Sequence, residues 1–498
     1  MQAYDAVVIG AGNGGLTAAA TLARQGVNVL LLERHNIPGG AATSFCRGRF
    51  EFEVALHQLS GLGTVEKPGP LRALLDQLGV TDKLEFVPMT DLYHIVIPGQ
   101  IDMTFKPDRQ ALTAELQKQF PKEASAIEKY IELVYALFTE VIGAFYLQDP
   151  EISRDKYPVY FKYALKNLQE VLDQHFNDPL LKSVISPYWV YMGLPPRLMS
   201  FVDMAAMLFA YCEFMPYHIK GGSQALSNAL ADSIISDGGT IRFNCGAEKI
   251  RVKDGRIQGV LTQDGQEVKT HYVISNASKV TTYVDLIDRE HIPAEILAEL
   301  RQSTLSQSAF TVFMGLDCEP QSVGITESTN FILNHTDAEL AYERMKVIDI
   351  DERDYLMLTC YNLIDADFSP QGTSQIALVT LKYGDPWLAI APGEYAREKF
   401  RMADSMLKVV EKVFPGVQAH IEEIEIGTPL THMRYLGHPK GAIYGFDHFI
   451  KDSTLFVPNK SPIKGLYGAG GWVGYNGFQP TLESGVHAAR SVINAMKK

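Results

Sequence analysis

The order of apolar and polar positions at the start of the chain predicts a βαβ unit. The apolar runs 6–9 and 27–32 each suit a buried parallel strand. Between them, small apolar residues recur at helical spacing, and a glycine stands where that helix can end: Leu16, Ala19, Ala20, Ala23 and Gly26. We therefore expect a strand, a helix and a second strand before residue 33.

The same kinds of pattern return in two later segments. A helix is predicted over 223–236, and strands are predicted over 240–243, 248–252, 257–262 and 272–275. Near the C terminus, a short strand over 465–467 precedes a glycine cluster and a last helix. We therefore predict a discontinuous nucleotide-binding domain made of residues 1–61, 218–300 and 456–498.

The remaining segments, 62–217 and 301–455, predict a substrate-binding domain. The first is mostly helical, with Ile127, Ile131, Val134, Leu137 and Val141 on one helix face, whereas the second contains strands over 310–315 and 376–382. The expected fold class is α/β: a Rossmann-type domain, with an additional sheet beside its βαβ unit, interleaved with a substrate domain of mixed sheet plus helices. The aromatic-rich helical part is expected to form a lid or a membrane-facing surface, with the site between the two domains.

A glycine pattern follows the first strand directly. In Gly10-x-Gly12-x-x-Gly15 the glycines allow a tight turn, approach of the backbone to a pyrophosphate, and close packing of the helix. Glu33 comes 18 positions after Gly15, where a carboxylate accepts hydrogen bonds from a ribose diol. Gly39 lies in a second glycine motif that lets amides approach the rest of a long dinucleotide. The pattern predicts a dinucleotide site.

On these residues, the stretch from Tyr4 to Ser44 resembles the FAD-binding head of the flavin amine oxidase superfamily. Its 38–43 tail is similar to the branch of phytoene desaturases, carotenoid isomerases and retinol saturases. Two positions depart from the family pattern: Ala41 replaces the arginine of amine oxidases, and 470–472 lacks the usual ribityl-binding acid. The resemblance implies non-covalent FAD, with these contacts: Gly10, Gly12, Asn13, Gly14, Gly15, Glu33, Arg34, Gly39, Gly40, Ala41, Ala42, Thr43, Ala247, Gly470, Gly471, Gly477 and Phe478.

Three side chains are candidates for chemistry beside the flavin. His57 lies in a stretch that resembles the Gly-x-His-x-x-Gly segment of retinol saturases and carotenoid isomerases, although Ala55 replaces the first glycine. It is a candidate to touch the flavin or to protonate a polyene, and a purely structural role stays open. His432 and Arg434 are candidates to line the redox face, although a packing or surface role is the commoner one for such residues.

The concentration of aromatic residues suggests a long apolar ligand. The candidate substrate contacts are Trp189, Tyr191, Phe209, Phe214 and Tyr444. Individually, each of them is as well explained by packing in a hydrophobic core. A lipophilic substrate has to enter from lipid, so we expect peripheral membrane contact through the stretch 188–217.

Composition narrows the classes of function. The chain has 498 residues and a formal net charge of −13, which argues against nucleic acid as a partner. Its five scattered cysteines and thirteen histidines form no metal motif, so no metal is expected. No leader or spanning segment is apparent, which predicts a cytoplasmic protein, in peripheral contact with a membrane at most.

The resulting hypothesis is an FAD-dependent oxidoreductase or isomerase that acts on carbon–carbon bonds of a lipophilic polyene resembling a carotenoid or retinoid. Hydride exchange would take place at flavin N5, with orientation and a dry cavity supplied by the protein. One alternative is an FAD-dependent amine oxidase. Another is a non-catalytic isoprenoid-binding protein of the Rab-escort or GDP-dissociation-inhibitor type, which would purify colourless. The substrate, the direction of hydrogen transfer, the electron partner and the oligomeric state stay open.

Overall fold

The structure is a computed structural model that describes residues 2–146, 149–450, 461–474 and 476–498. The segment 451–460, which contains the predicted boundary between the domains at 455/456, lies outside the described residues.

Strands and helices are numbered in chain order within the described residues. The strands are β1 Gln2–Ala3, β2 Ala6–Ile9, β3 Val29–Leu32, β4 Ser44–Arg47, β5 Phe50–Glu53, β6 Phe86–Pro88, β7 Tyr93–Ile97, β8 Ile101–Phe105, β9 Tyr217–Ile219, β10 Thr240–Arg242, β11 Ala247–Lys253, β12 Arg256–Thr262, β13 Glu267–Lys269, β14 Val273–Ser275, β15 Ser308–Leu316, β16 Thr329–Ile332, β17 Leu356–Cys360, β18 Ser374–Lys382, β19 Ile421–Gly427 and β20 Leu466–Gly468. The α-helices are α1 Asn13–Arg24, α2 Pro70–Leu78, α3 Arg109–Gln119, α4 Ala124–Val141, α5 Pro158–Tyr163, α6 Leu168–His175, α7 Pro179–Ile185, α8 Trp189–Met192, α9 Phe201–Phe214, α10 Gly222–Ser236, α11 Ala294–Gln302, α12 Ala338–Arg344, α13 Asp385–Leu388, α14 Tyr395–Val413, α15 Pro429–Leu436 and α16 Phe478–Met496.

A parallel sheet carries the predicted βαβ unit. Its order across the described strands is β10-β3-β2-β14-β20, and every neighbouring pair is parallel. Strands β2 and β3 are buried throughout, as expected for a parallel sheet covered on both faces. Helices α1, α10 and α16 pack together on one side. The additional sheet has the order β1-β13-β12-β11, in which β1 pairs in parallel with β13. The predicted α/β fold class is confirmed.

A second, mixed sheet lies in the other part of the chain. Its described order is β19-β15-β18-β17-β16-β7-β8, and its pairs are antiparallel apart from the parallel pair β16 and β7. The long strands β15 and β18 are buried along their whole length, because α14 and the site cover opposite faces. The division of the chain into the five predicted ranges stays a prediction.

Helices α3 to α9 form a layer beside the mixed sheet. Its largest apolar cluster joins α4 and α9 to the sheet, and the predicted face of α4 is buried at all five positions. The stretch 188–217 belongs to this core, because Arg197 is its one exposed residue and none of its apolar residues is exposed. The expectation that this stretch forms a membrane-facing patch is therefore wrong. Its aromatic rings are packed between helices and do not lie on the surface.

Candidate active site

A large cavity opens between the parallel sheet and the mixed sheet. We call it the dinucleotide cavity; its volume is about 600 Å³. Of the predicted FAD contacts, these residues line it: Gly10, Gly12, Asn13, Gly14, Glu33, Arg34, Gly39, Gly40, Ala41, Ala42, Ala247, Gly470, Gly471, Gly477 and Phe478. The structure therefore brings together residues from both ends of the chain and from β11, although they are hundreds of positions apart in sequence.

Two predicted contacts do not line the dinucleotide cavity. A Cβ atom on Gly15 would lie 1.8 Å from the carbonyl oxygen of Gly10, so this glycine is required for the close approach of α1 to the preceding turn. Thr43 points away, and its hydroxyl donates a 2.6 Å hydrogen bond to Oε1 of Gln224. Both residues shape the surroundings of the cavity without facing it.

Glu33 lies at the end of β3 with its carboxylate almost fully buried. Oε2 accepts a 2.6 Å hydrogen bond from the amide of Ala11, and Oε1 accepts one of 2.7 Å from the amide of His35. These amides fix the carboxylate at the position where a ribose diol would donate to it. Arg34 is exposed and donates to the carbonyl oxygens of Arg434 and Tyr435, so its guanidinium holds the end of α15.

The polar atoms that line the dinucleotide cavity fit FAD as the ligand. Four buried polar atoms of its lining have no hydrogen-bond partner among the described residues: Asn13 Oδ1, the hydroxyl of Tyr191, His432 Nε2 and Trp472 Nε1. Unpartnered buried polar atoms are rare and costly, so they indicate a polar ligand in contact with them. The glycine turns, the ribose-binding carboxylate and these orphaned atoms together match the polar groups of a flavin dinucleotide.

Asn276 is a lining residue that the sequence analysis missed. It follows β14 directly, and a Cβ atom on Gly12 would lie 2.7 Å from its Nδ2 atom. Its side chain therefore lies under the glycine turn, where the backbone of Gly470 also passes close by. The signal was present in the sequence, because a polar residue stands immediately after the apolar strand predicted over 272–275.

A second cavity lies among the helices of the substrate side. We call it the apolar cavity; its volume is about 310 Å³. Part of its wall comes from α4, α9 and the residue after α4, with these apolar side chains: Phe138, Val141, Ile142, Met207, Ala210 and Phe214. Three carboxyl groups also reach it, from Asp203, Asp447 and Glu483.

The two cavities meet at a shared set of residues. We call this set the junction; it contains Ala55, His57, Tyr191, Tyr444, Gly477 and Phe478, all of which line both cavities. The hydroxyl of Tyr444 donates to the carbonyl oxygen of Tyr191, which ties α8 to the loop after α15. A ligand in the apolar cavity can therefore reach the dinucleotide cavity between these residues.

His57 is held at the junction from several sides. Its Nδ1 atom shares a 2.9 Å hydrogen bond with the hydroxyl of Thr359, and its ring stacks on Tyr191 with centroids 6.1 Å apart. The backbone before it is fixed by Glu53, whose buried carboxylate accepts from the amides of Ala55 and Leu56. Burial lowers the pKa of His57 to about 4, so the imidazole is neutral at neutral pH.

The two predicted residues on α15 separate in the structure. His432 lines the dinucleotide cavity, and burial, aided by nearby His438, lowers its pKa to about 4. Arg434 is exposed and does not line either cavity, because residues two positions apart on a helix point in nearly opposite directions. The structure therefore places His432 in the lining of the dinucleotide cavity and Arg434 outside it, and a role for His432 at the redox face stays a prediction.

The predicted aromatic contacts also separate into two groups. Tyr191, Tyr444 and Phe214 line the apolar cavity. Trp189 packs on Tyr355 within the core, and Phe209 is fully buried; neither lines a cavity. Periodicity could not separate Phe209 from Phe214, because both lie on the apolar helix α9.

The described residues contain one group that could offer three metal ligands: Asp317, Cys318 and His420. It lies outside the lining of both cavities. The expectation that the reaction uses no metal stays a prediction. No helix in the described ranges is both long and apolar enough to cross a membrane.

Comparisons with known proteins agree with this geometry. A family model described as flavin containing amine oxidoreductase matches residues 14–493. Prolycopene isomerase 2, chloroplastic, of an Oncidium hybrid cultivar is 27% identical over 486 residues, covering 94% of this chain and 80% of that protein. All-trans-retinol 13,14-reductase of Danio rerio is 25% identical over 528 residues, covering 98% and 86%. A crystal structure of an oxidoreductase from Methanosarcina mazei has a similar fold, with a TM-score of 0.66 at 19% identity and coverage of 99% and 100%.

Proposed function

The chain belongs to the flavin-containing amine oxidoreductase family, and we propose that it uses FAD to change carbon–carbon bonds of a lipophilic polyene. It is an enzyme of that family, and its cofactor is FAD. The proposed substrate resembles a carotenoid or retinoid, and the proposed reactions are desaturation, saturation or cis–trans isomerisation. The names of the isomerase and the reductase among its relatives support this class of substrate.

One observation carries the proposal: an apolar cavity between α4 and α9 meets the dinucleotide cavity at the junction. An apolar cavity with a polar cofactor site at its end is what a long hydrocarbon chain needs, because most of its surface has to leave water. Tyr191 and Tyr444 stand at the meeting point, and burial raises the pKa of both phenols, so they present neutral rings to a ligand.

When bound, FAD supplies hydride exchange with carbon. The side chains of the protein orient the substrate and exclude water from the site. The glycine turns would hold the diphosphate, Glu33 would accept from the ribose diol, and the 470–478 segment would hold the ribityl and flavin side. Neutral His57, oriented by Thr359, would present Nε2 to the reacting end of the chain. The apolar walls exclude water, which suits an allylic centre that delocalises its own charge.

The amine oxidase alternative has less support from the site. Histidines 57, 432 and 438 are neutral at neutral pH because burial lowers the pKa of each to about 4. The walls of the apolar cavity favour a hydrocarbon, although its carboxyl groups would also suit an ammonium group. A non-catalytic isoprenoid-binding protein would not need the orphaned polar atoms of the dinucleotide cavity, and it would purify colourless.

Product analysis tests the reaction class. The purified holoprotein is incubated with cis and trans polyenes under oxidising and, separately, reducing conditions. The molecular masses of the products are measured by mass spectrometry. Loss of hydrogen identifies a desaturase, gain identifies a saturase, and an unchanged mass with altered double-bond geometry identifies an isomerase. If every polyene is recovered unchanged under both conditions, the proposal is contradicted.

Membrane contact is part of the proposal, through a surface that differs from the one expected. Leu165 is 82% exposed and Phe161 is 38% exposed, at and after α5, which packs on α4 and α9. We call Phe161 and Leu165, which lie four positions apart, the outer apolar patch. It lies on elements adjoining the walls of the apolar cavity, where a substrate could pass from a bilayer.

A further inference from the structure

One of the three carboxyl groups that line the apolar cavity, that of Asp447, lies close to the junction in the chain. Asp447 is 8% exposed and lines that cavity beside Phe446. Among the described residues, its carboxylate forms no ion pair. Burying an ionisable group without a cation is costly, and an apolar residue of similar size would fill the same space at lower cost. Its presence here therefore calls for an explanation other than packing.

Asp447 is held at the end of a chain of phenols. Its Oδ2 atom accepts a 3.2 Å hydrogen bond from the hydroxyl of Tyr383, which lies 3.0 Å from the hydroxyl of Tyr342. Burial raises the pKa of Asp447 to about 7, although Tyr383 and Lys346 act in the opposite direction. A carboxyl group in this condition can both donate and accept a hydrogen bond at neutral pH.

The backbone holds this group at a fixed place relative to the junction. The amide of Asp447 donates 2.8 Å to the carbonyl oxygen of Thr304, and Phe446 forms a bridge with Leu305. Tyr444, three positions earlier, lines both cavities. A ligand bound at Asp447 would therefore lie in the same cavity as the junction, with its length setting which carbon reaches the flavin.

We propose that Asp447, held by Tyr383, binds an uncharged oxygen end group of the substrate, such as a hydroxyl or a carbonyl. The inference rests on the proposed polyene function and narrows it: the substrate is an oxygenated polyene, and the end group selects the position of reaction. The side chains of α4 and α9 that line the cavity are mostly apolar and suit the hydrocarbon part, so Asp447 is suited to distinguish substrates that differ at one end.

An ammonium end group is the competing occupant. It would require a charged carboxylate, and Glu483, bonded at 2.9 Å to Gln479, offers a second carboxyl group on the same cavity. Burial raises the pKa of both carboxyl groups to about 7, so each is partly protonated at neutral pH and can donate a hydrogen bond to a neutral oxygen. A polyene with an amine end group is therefore one of the probes in the test.

The test measures binding of four polyenes to the holoprotein by the perturbation of their absorbance. The probes share one chain length and end in a methyl, a hydroxymethyl, a formyl or an aminomethyl group. The parent should bind the alcohol and aldehyde about fivefold to tenfold more tightly than the hydrocarbon, the value of one buried hydrogen bond. Asp447→Leu should remove this preference and bind the hydrocarbon at least as well as the parent does.

Two further variants separate recognition from misfolding. Tyr383→Phe should retain part of the preference, because it removes only the group that orients Asp447. Asp404→Asn, at an exposed ion pair with Lys408, should behave as the parent does. Equal binding of hydrocarbon and alcohol by the parent, an equal loss of all four probes in Asp447→Leu, or a preference for the amine would each overturn the inference. If the hydrocarbon binds and reacts as well as the alcohol, the polyene function survives; if no probe binds or reacts, the proposed function itself fails.

Discussion

The hydroxyl of Thr359 and Nδ1 of His57 share a hydrogen bond of 2.9 Å, which joins a strand of the mixed sheet to the segment that follows β5. The hydroxyl of Tyr361 lies 3.5 Å from the same nitrogen. Both partners come from chain positions some 300 residues away from His57. The ring is therefore oriented by the substrate side of the molecule, although its backbone belongs to the nucleotide side.

His57→Ala should lower turnover more than it lowers FAD binding. The variant loses one neutral hydrogen-bonding group at the junction, which corresponds to a rate loss of about threefold to tenfold. Turnover of a polyene and the flavin content of the purified protein are measured in parallel. Thr359→Val, which keeps the shape but removes the orienting hydroxyl, should show a smaller loss in the same direction. Full turnover in His57→Ala would assign the histidine a structural role.

Glu33→Ala should reduce FAD occupancy. The ribose diol would lose a charged acceptor, a loss of about tenfold to a hundredfold in affinity. The amides of Ala11 and His35 would also lose their acceptor, so the melting temperature of the flavin-free protein has to be measured beside the flavin affinity. Glu33→Gln, which keeps one acceptor for these amides, is the matched control and should lose less stability. Tight FAD retention by Glu33→Ala would refute the assignment.

Much of the nucleotide side could be predicted from the sequence because its determinants are local. The run predicted as the first strand, 6–9, coincides with β2, and the helix predicted over 223–236 corresponds to α10 at Gly222–Ser236. A glycine turn between an apolar strand and a helix has few other solutions, so motif and fold support each other. The candidate contacts in 10–42 are neighbours on these elements and therefore reach the cavity together.

The substrate side could not be predicted to the same depth. Phe209 and Phe214 lie on the same helix and look alike in sequence, yet only Phe214 lines the apolar cavity. Which face of α9 lines a cavity depends on its packing against α4, a contact between segments far apart in the chain. Asp447 carried no local signal, because its importance comes from burial and from Tyr383.

The contribution of Asp447 and Glu483 to the stability of the protein should fall as pH rises from about 4 to about 7, whereas the buried histidines 57, 432 and 438 contribute in the opposite direction. Burial raises the pKa of each of the two carboxyl groups to about 7 in the folded state, so these groups bind more protons in the folded state than in the unfolded state across this range. The stabilisation by these groups is complete below their unfolded pKa values and is lost as pH passes about 7. Tyr383 and Lys346 face Asp447 and act against the shift.

Melting temperatures across this pH range test that expectation. The side chain of Asp447→Asn cannot ionise, so the melting temperature of this variant relative to the parent should rise between pH 5 and pH 8. This range extends about 1 to 2 pH units to either side of the raised pKa of Asp447. Asp404→Asn, at an exposed position, should give a curve parallel to the parent's. A parallel curve for Asp447→Asn would show that this carboxyl group is not protonated preferentially in the folded state.

The holoprotein should float with neutral liposomes, and the binding should survive high salt. The contact is expected through the outer apolar patch, since the chain as a whole is acidic and apolar burial is insensitive to screening. The double substitution Phe161→Glu with Leu165→Glu should abolish flotation. Leu388→Glu changes a leucine of 48% exposure on α13 and should leave flotation unchanged. Protein that stays entirely at the bottom of the gradient would contradict membrane contact.

Carbon–carbon chemistry on a polyene at the junction is tested by a direct comparison of substrate classes. The holoprotein is offered polyenes and simple amines in separate reactions, with oxidised and with reduced flavin, and substrate loss and peroxide are both quantified. At least one polyene should be converted, and the amines should give no peroxide above the level of the enzyme alone. Oxidation of amines with peroxide release, while every polyene is recovered unchanged in both flavin states, would contradict this expectation.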